Sequence, residues 1–239
     1  MVHILGIVTA RGGSKRIPKK SITPLLGKPS MGYVLEAMKK STQLTRIIVD
    51  TDDEEMAAVG RTFGAEVPYI RPKTLAEDGT GHVPVLKNAI ETLKITEGYM
   101  PDVVVLVQPT SPLVQPEHID EAVKLTLAES LDSVETIFEV PTIFHPYNER
   151  YVDEQGFTKF VMQKERAEAA RTGKRPNIYT IGPVYVFRPD TLWKYGTIQG
   201  EKSKSIIIDK KYAVDIDELL DVVIVEALLR HLLISNSHE

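Results

Sequence analysis

The sequence predicts an α/β fold built on a mostly parallel sheet, and three observations carry that prediction. Short apolar runs of strand length recur along the chain, at Val2–Val8, Arg46–Val49 and Asp102–Val107. Between them lie segments whose apolar residues repeat at helical spacing. Strands separated by helices imply right-handed βαβ crossovers, and therefore a parallel sheet. With 239 residues, the chain is long enough for one domain with a single large core, read as residues 1–239.

The elements follow in order. Val2–Val8 is almost continuously apolar, as expected of a strand buried on both faces. A glycine-rich basic loop follows it. Met31, Val34, Leu35 and Met38 then mark one face of a first helix. After the Arg46–Val49 strand, Thr51-Asp52-Asp53-Glu54 has capping-box spacing at a second helix start, and Gly64 suits its end. Val83, Leu86, Ile90 and Leu93 give a third helix. Asp102–Val107 is the clearest central strand and runs into a loop stiffened by Pro109 and Pro112. Ile119, Ala122, Val123 and Leu127 mark another helix, and Ser133–Phe138 another strand. The rhythm then changes. Tyr151–Val161 reads as two short strands around Gly156, followed by a polar, basic stretch to Asn177, so residues 139–181 read as an insertion. Strands resume at Pro183–Phe187 and Ser205–Ile208. Trp193 reads as a packing residue.

Composition excludes several functions. There is no cysteine, which removes disulfides, thiolate metal sites and cysteine nucleophiles. A net charge of −4 argues against bulk nucleic-acid binding. The N-terminus lacks the basic start and length of a signal peptide. The apolar run Leu219–Ile234 is broken by Asp221, Glu226 and Arg230, so it reads as a buried helix and not as a membrane span. A cytoplasmic address is expected. Neither HExxH nor GxSxG occurs among the motifs, and the six histidines are scattered.

Four motifs remain. Residues 11–20 (RGGSKRIPKK) hold Arg11, Lys15, Arg16, Lys19 and Lys20 with no acid, a charge of +5 in a chain of net −4. Such a concentration of like charge is costly unless an anion balances it. Gly12 and Gly13 let backbone N–H groups come close to a phosphate. The loop follows the first strand, where α/β sheets bind ligands. It is neither a Walker A loop nor a dinucleotide fingerprint. Asp215 and Asp217 at i and i+2 point to one side of an extended segment, a spacing suited to a hard divalent cation such as Mg²⁺. Equally, Asp217 reads as the N-cap of the final helix. Gln108, in the loop Gln108–Pro112, offers both donor and acceptor groups for reading hydroxyls. Arg171 lies in a cationic stretch of the insertion and is of a kind that clamps carboxylates.

Taken together, ARGGSKRIPKKSI, TDDEEMAAVGRTFGAEVPYIRP, LVQPTSPL and AVDID before a final helix resemble the acylneuraminate cytidylyltransferase family, from about residue 4 to 225. These are the enzymes that join CMP to sialic, legionaminic and pseudaminic acids. The resemblance implies a Rossmann-like three-layer nucleotidyltransferase fold, with a dimerisation subdomain at the insertion. The implied reaction is CTP plus a nine-carbon 2-keto sugar acid giving the CMP-sugar and pyrophosphate, with Mg²⁺ and as a homodimer. By position, Ala10, Arg11, Gly12, Gly13, Lys20 and Ser21 would meet the nucleotide, with Arg11 and Lys20 holding its triphosphate. Arg71 and Asp78 would lie by the base. Gln108, Arg171 and Tyr185 would face the sugar, and Asp215 and Asp217 would hold the metal. Arg11, Lys20 and Asp215 would carry the catalysis.

The chain departs from that pattern at several positions. Ser21 stands where an Asn is usual, Val114 where an Arg is common, Gly79-Thr80-Gly81-His82 where small or hydroxyl residues are common, and Ile181-Gly182 where Asn-Gly is frequent. Lys15-Arg16, where sialic acid enzymes often carry Lys-Gly, resembles the legionaminic and pseudaminic branch. Three other readings stay open. They are the same chemistry with another acid, a phosphonate or GTP; a glycosyltransferase using Asp215-Ile216-Asp217 as a DxD site; and a non-catalytic nucleotide-binding subunit.

Overall fold

A computed structural model describes residues 2–236; His238, one of the six histidines, lies outside them. Its centre is a six-stranded sheet. The strands are β1 (Ile4–Ala10), β4 (Arg46–Thr51), β5 (Val103–Val107), β6 (Ser133–Glu139), β9 (Tyr179–Phe187) and β10 (Ser203–Ile207), in the order β10-β6-β9-β5-β1-β4. Pairs β1–β4, β1–β5 and β6–β10 are parallel. Strand β9 alone runs antiparallel, between β5 and β6. The sheet is therefore mostly parallel, as the alternation of apolar runs predicts. A two-residue hairpin, β2 (Pro24–Leu25) with β3 (Lys28–Pro29), is too short to leave a sequence signal.

Helices cover both faces. On one side α1 (Ser30–Lys40), α2 (Glu54–Thr62) and α4 (Pro116–Ala128) pack Met31, Val34, Met38, Met56, Ile119 and Val123 onto Val8, Val105 and Val186 of the sheet. On the other side α3 (His82–Glu97) and α6 (Asp190–Lys194) place Leu86, Ile90, Leu93 and Leu192 against Leu5, Ile7, Leu106 and Phe187. Burying both faces explains why β5 is Val-Val-Val-Leu-Val with no polar alternation. Chain order leads from β1 to β4 on one side of β1, then back to β5 on its other side. That reversal opens a crevice at the C-terminal ends of β1 and β5.

Several expectations are corrected. Helix α2 is capped by Asp53, whose side chain accepts from the N–H groups of Glu55 and Met56, while Thr51 ends β4 and its hydroxyl accepts from the Asp53 N–H. Helix α7 (Leu219–Asn236) is not a buried helix. Val225 and Leu229 join a third core cluster with Ile17, Leu25, Leu113 and Ile216, but Leu219, Leu220, Val223, Ile224 and Leu233 are exposed. Trp193 is half exposed on α6, with the Lys87 ammonium 5.6 Å from its ring centre. No helix among the described residues is long and apolar enough to cross a membrane.

The segment between β6 and β9 leaves the sheet. It forms the expected hairpin, β7 (Arg150–Val152) with β8 (Thr158–Phe160), and then α5 (Gln163–Thr172), which buries none of its residues. Ile143, Phe144, Val152 and Phe157 are left exposed. Strand β9 starts at Tyr179, so its first three residues pair with β6 and belong to the sheet. At Gly182 the two strands come so close that a Cβ would lie 2.5 Å from Thr136 Oγ1, which restricts the position to glycine.

A single carboxylate joins two helices of the first layer. Asp120 of α4 accepts from the Ser41 hydroxyl at 2.5 Å and from the Thr42 hydroxyl and N–H at 2.5 and 3.1 Å, just past the end of α1. Burial opposes the charge, but these bonds outweigh it and hold the Asp120 carboxyl below its ordinary range. A depressed native pKa stabilises the fold above the unfolded carboxyl value and loses that contribution as pH falls. Asp120→Ala should therefore lower unfolding free energy by about 1–3 kcal/mol at neutral pH. Urea titrations of both proteins should show the difference shrinking below about pH 4.

Candidate active site

A cavity of about 280 Å³ opens in the crevice above β1 and β5. The basic loop forms one wall and contributes Arg11, Ser14, Lys20 and Ser21. The chain after β5 contributes Gln108, Pro109 and Thr110. The third wall is the segment from Arg71 to His82, with Val85 of α3. Of the residues expected here, Arg11, Lys20, Ser21, Arg71, Asp78 and Gln108 all line the cavity. Thr80 and His82, noted in the sequence only as departures from the family pattern, line it too, and the sequence reading assigned no site role to Ser14, Leu75 or Val85.

The protein's own acids balance the cations of the loop. Arg11 Nη1 lies 3.1 Å from Asp78 Oδ1 and donates to the Glu77 carbonyl at 3.2 Å. Lys15 pairs with the same Asp78 carboxylate. Lys19, in the left-handed conformation at φ 51°, pairs with Glu55 of α2. Lys20 Nζ is 2.8 Å from Asp217 Oδ1. Arg16 has no ion-pair partner among the described residues. The hydrogen bond from Lys15 holds the Asp78 carboxyl below its usual range, helped by the charges of Lys15 and Arg11. Asp78, on the cavity wall, thus serves as counter-ion to Arg11, which also lines the cavity, and to Lys15.

The glycines act differently from expectation. The Gly12 N–H donates to Asp52 Oδ1 at 3.0 Å, and a Cβ at Gly12 would fall 2.9 Å from Asp53 Oδ2. Gly12 is needed for close approach to the acidic end of β4. Gly13 faces open space. The Ala10 side chain is fully buried in the core beneath the loop, so only its backbone can serve the site.

The two aspartates arrive from the far end of the chain. The Ile216 N–H donates to the Thr110 carbonyl at 2.9 Å, which anchors the segment beside the loop after β5. Ile216 is fully buried and its neighbours face the other way, as the i, i+2 spacing predicts. Asp215 Oδ1 accepts from the Ser111 hydroxyl at 3.0 Å. Burial pushes its carboxyl up, against the Thr110 and Ser111 hydroxyls and the Lys20 charge. Asp221, in the first turn of α7, reaches back to accept from the N–H groups of Asp217 and Glu218 just before the helix, both at 2.8 Å. The Asp217 carboxylate is therefore turned to Lys20 and not to the helix. Two adjacent oxygen donors suit a hard cation that takes its remaining ligands from water and phosphate. Among the described residues no group of three acidic or histidine side chains could enclose a metal without such help.

Gln108, one residue past β5, lines the cavity, and Tyr185 on neighbouring β9 reaches Gln108 without lining the cavity itself. Burial and the charge on Glu135 raise the Tyr185 phenol, while its hydrogen bond with Gln108 acts in the opposite sense. Arg171 is not brought to the cavity. It lies on α5, largely exposed, with Nη2 2.6 Å from Glu168 one turn earlier on the same helix. His82, at the first turn of α3, has its pKa lowered by its protein surroundings and then by the Arg71 charge, although part of the ring meets solvent.

The chain is similar to known proteins in sequence and in fold. The family model described as cytidylyltransferase matches residues 5–221. A pseudaminic acid cytidylyltransferase of Campylobacter jejuni is 37% identical over 118 residues, 49% of this chain and 50% of that protein. A CMP-N,N'-diacetyllegionaminic acid synthase of the same species is 30% identical over 230 residues, 96% of each chain. The chain covers about half the length of the first relatives, 50% of the pseudaminic one and 49% of a Danio rerio N-acylneuraminate cytidylyltransferase. Among solved structures, a CMP:2-keto-3-deoxy-manno-octonic acid synthetase complexed with CTP superposes with a TM-score of 0.70 at 16% identity, over 96% of this chain and 99% of that one. That likeness establishes the fold.

The geometry makes Asp78 a competitor for any polyphosphate. Asp78→Asn should bind inorganic tripolyphosphate more tightly than the wild type, with a steeper loss of affinity on adding salt. Isothermal titration at two ionic strengths measures both.

Proposed function

Because the chain belongs to the cytidylyltransferase family, we propose that it is a nucleotidyltransferase that transfers CMP from CTP to a nine-carbon 2-keto sugar acid of the sialic, legionaminic or pseudaminic type. The observation that carries this reading is the cavity itself. Arg11 and Lys20, each held by a displaceable carboxylate, face it beside Asp215 and Asp217 at the crevice above β1 and β5. A triphosphate supplies the charge that Asp78 now supplies.

In this account Arg11, Lys20, Ser14 and Ser21 take the triphosphate, Arg71 lies by the base, and Gln108 and Tyr185 face the sugar. The anomeric hydroxyl of the acid attacks the α-phosphorus in line. The new oxygen–phosphorus bond forms as the α–β bridge breaks, and pyrophosphate leaves. Arg11 and Lys20 are fixed cations that need no rearrangement as charge builds on the phosphates. Asp215 and Asp217 would hold Mg²⁺, which lends positive charge to the α-phosphate and the leaving group. Lys20 also keeps the two carboxylates from repelling one another before substrate arrives. The reading further carries a homodimer through the exposed apolar surface of segment 140–178 and, with CTP as substrate, a cytoplasmic location. Arg171 has no part in the site of a single chain.

The test is pyrophosphate release with Mg²⁺ across CTP, GTP, ATP and UTP, against sialic, legionaminic and pseudaminic acids. Release with CTP and one of these acids is expected. Release only with another nucleotide, or hydrolysis without an acid, overturns the reading. Lys20→Ala should lower kcat by about 10²–10³-fold, the loss usual for one preorganised charge stabiliser. Asp217→Ala should lose turnover at ordinary Mg²⁺, and a fully active variant would remove Asp217 from the metal site.

A further inference from the structure

Arg71, on the cavity wall, is held from behind by a buried ion pair with Asp50, a residue the mechanism above does not use. Asp50, on β4, is fully buried, and Arg71 is 4% exposed. Arg71 Nε donates to Asp50 Oδ2 at 3.1 Å, and Nη2 lies 3.0 Å from the same oxygen and donates to the Asp50 carbonyl at 2.6 Å. The Arg71 N–H donates to the Thr51 carbonyl at 2.8 Å, fixing the backbone as well. Among the described residues Nη1 has no partner. Asp50 Oδ1 and the Tyr69 hydroxyl are also buried; they interact with each other, though outside ideal hydrogen-bond geometry. A buried pair this incompletely satisfied contributes little stability for its desolvation cost. Its geometry, however, leaves the guanidinium no freedom to turn.

Arg71 shares the cavity wall with Leu75, Val85 and His82. Apolar walls suit a flat ring, and the two Nη1 hydrogens suit an in-plane carbonyl acceptor on its edge. We propose that Asp50 is a positioning residue for recognition of the pyrimidine base: it commits Nε and Nη2 of Arg71 and so presents Nη1 to the base carbonyl. This deepens the function proposed above and rests on its assignment of CTP. Asp50 touches no substrate and acts only through Arg71.

The test is calorimetric and does not need turnover. The titrants are inorganic tripolyphosphate, which has no base, and the nucleoside triphosphate that the wild type binds best. If that nucleotide is not CTP, the substrate assignment fails while the test of Asp50 proceeds with the preferred one. Asp50→Asn should weaken the nucleotide by about tenfold, the loss expected when a hydrogen bond to a charged group is misplaced. Tripolyphosphate binding should stay within about twofold of wild type, because its cations lie elsewhere. In an Arg71→Met background, Asp50→Asn should cost nothing more. Asp50→Glu, which keeps the charge but lengthens the arm, should also lose nucleotide and keep tripolyphosphate, so the outcome stands even where Asp50→Asn fails to fold. Full additivity of the Asp50 and Arg71 losses, equal loss of tripolyphosphate, or wild-type nucleotide affinity in Asp50→Glu would each overturn the proposal.

Discussion

Five cations within ten residues at the C-terminal edge of a sheet must be given counter-charge, and the site is organised around that need. Each of the acids that answers it comes from a different element. Asp78 comes from the loop before α3, Glu55 from the first turn of α2, and Asp217 from the segment before α7. The loop is thereby held open by ion pairs to three separate parts of the chain. These pairs are exposed and individually weak. That weakness lets a polyphosphate exchange with Asp78 without dismantling the fold. Better-shielded contacts hold the loop's surroundings: the half-buried approach of Gly12 to Asp52 and Asp53, and the buried anchoring of Ile216 on Thr110.

Sheet topology explains why residues near 11, 71, 108 and 215 meet. The reversal of strand order at β1 leaves a crevice that the connections after β1, β4 and β5 border. Antiparallel β9 then fills the position beside β5 and brings Tyr185 next to Gln108. The Gly182 contact with Thr136 seats that strand against β6. The chain between β6 and β9 is free of the sheet and carries its apolar residues outward, which is where a second copy would pack in the proposed homodimer.

The fold was legible because its signals are local. Runs such as Val103–Val107 and the helical spacing of Val83, Leu86, Ile90 and Leu93 need no knowledge of partners. Helix α5 escaped notice because it has no apolar face to give a period. Most of the site was legible for the same local reason: the loop is visibly basic, and Asp215 and Asp217 are visibly paired. The partners were not legible. Nothing in the spacing of residues 50 and 71, or 20 and 217, announces an ion pair, since long-range contacts are set by topology. Two readings needed the structure for that reason. Asp78 became a counter-ion to Arg11 and Lys15, and Arg171 stayed on the surface of α5, where an ungapped alignment cannot say which way a residue faces. His82 stood out only as a departure from the family pattern, because a lone histidine has no spacing that announces a role.

The central claim is that the loop's positive charge is matched to a triphosphate and not to a nucleotide in general. Calorimetric titration of the wild-type protein with CTP and with CMP, each at low and moderate ionic strength, tests it directly. The account predicts that CTP binds far more tightly than CMP and that the gap narrows as salt screens the loop. CMP binding as tight as CTP, or a gap indifferent to salt, would contradict it.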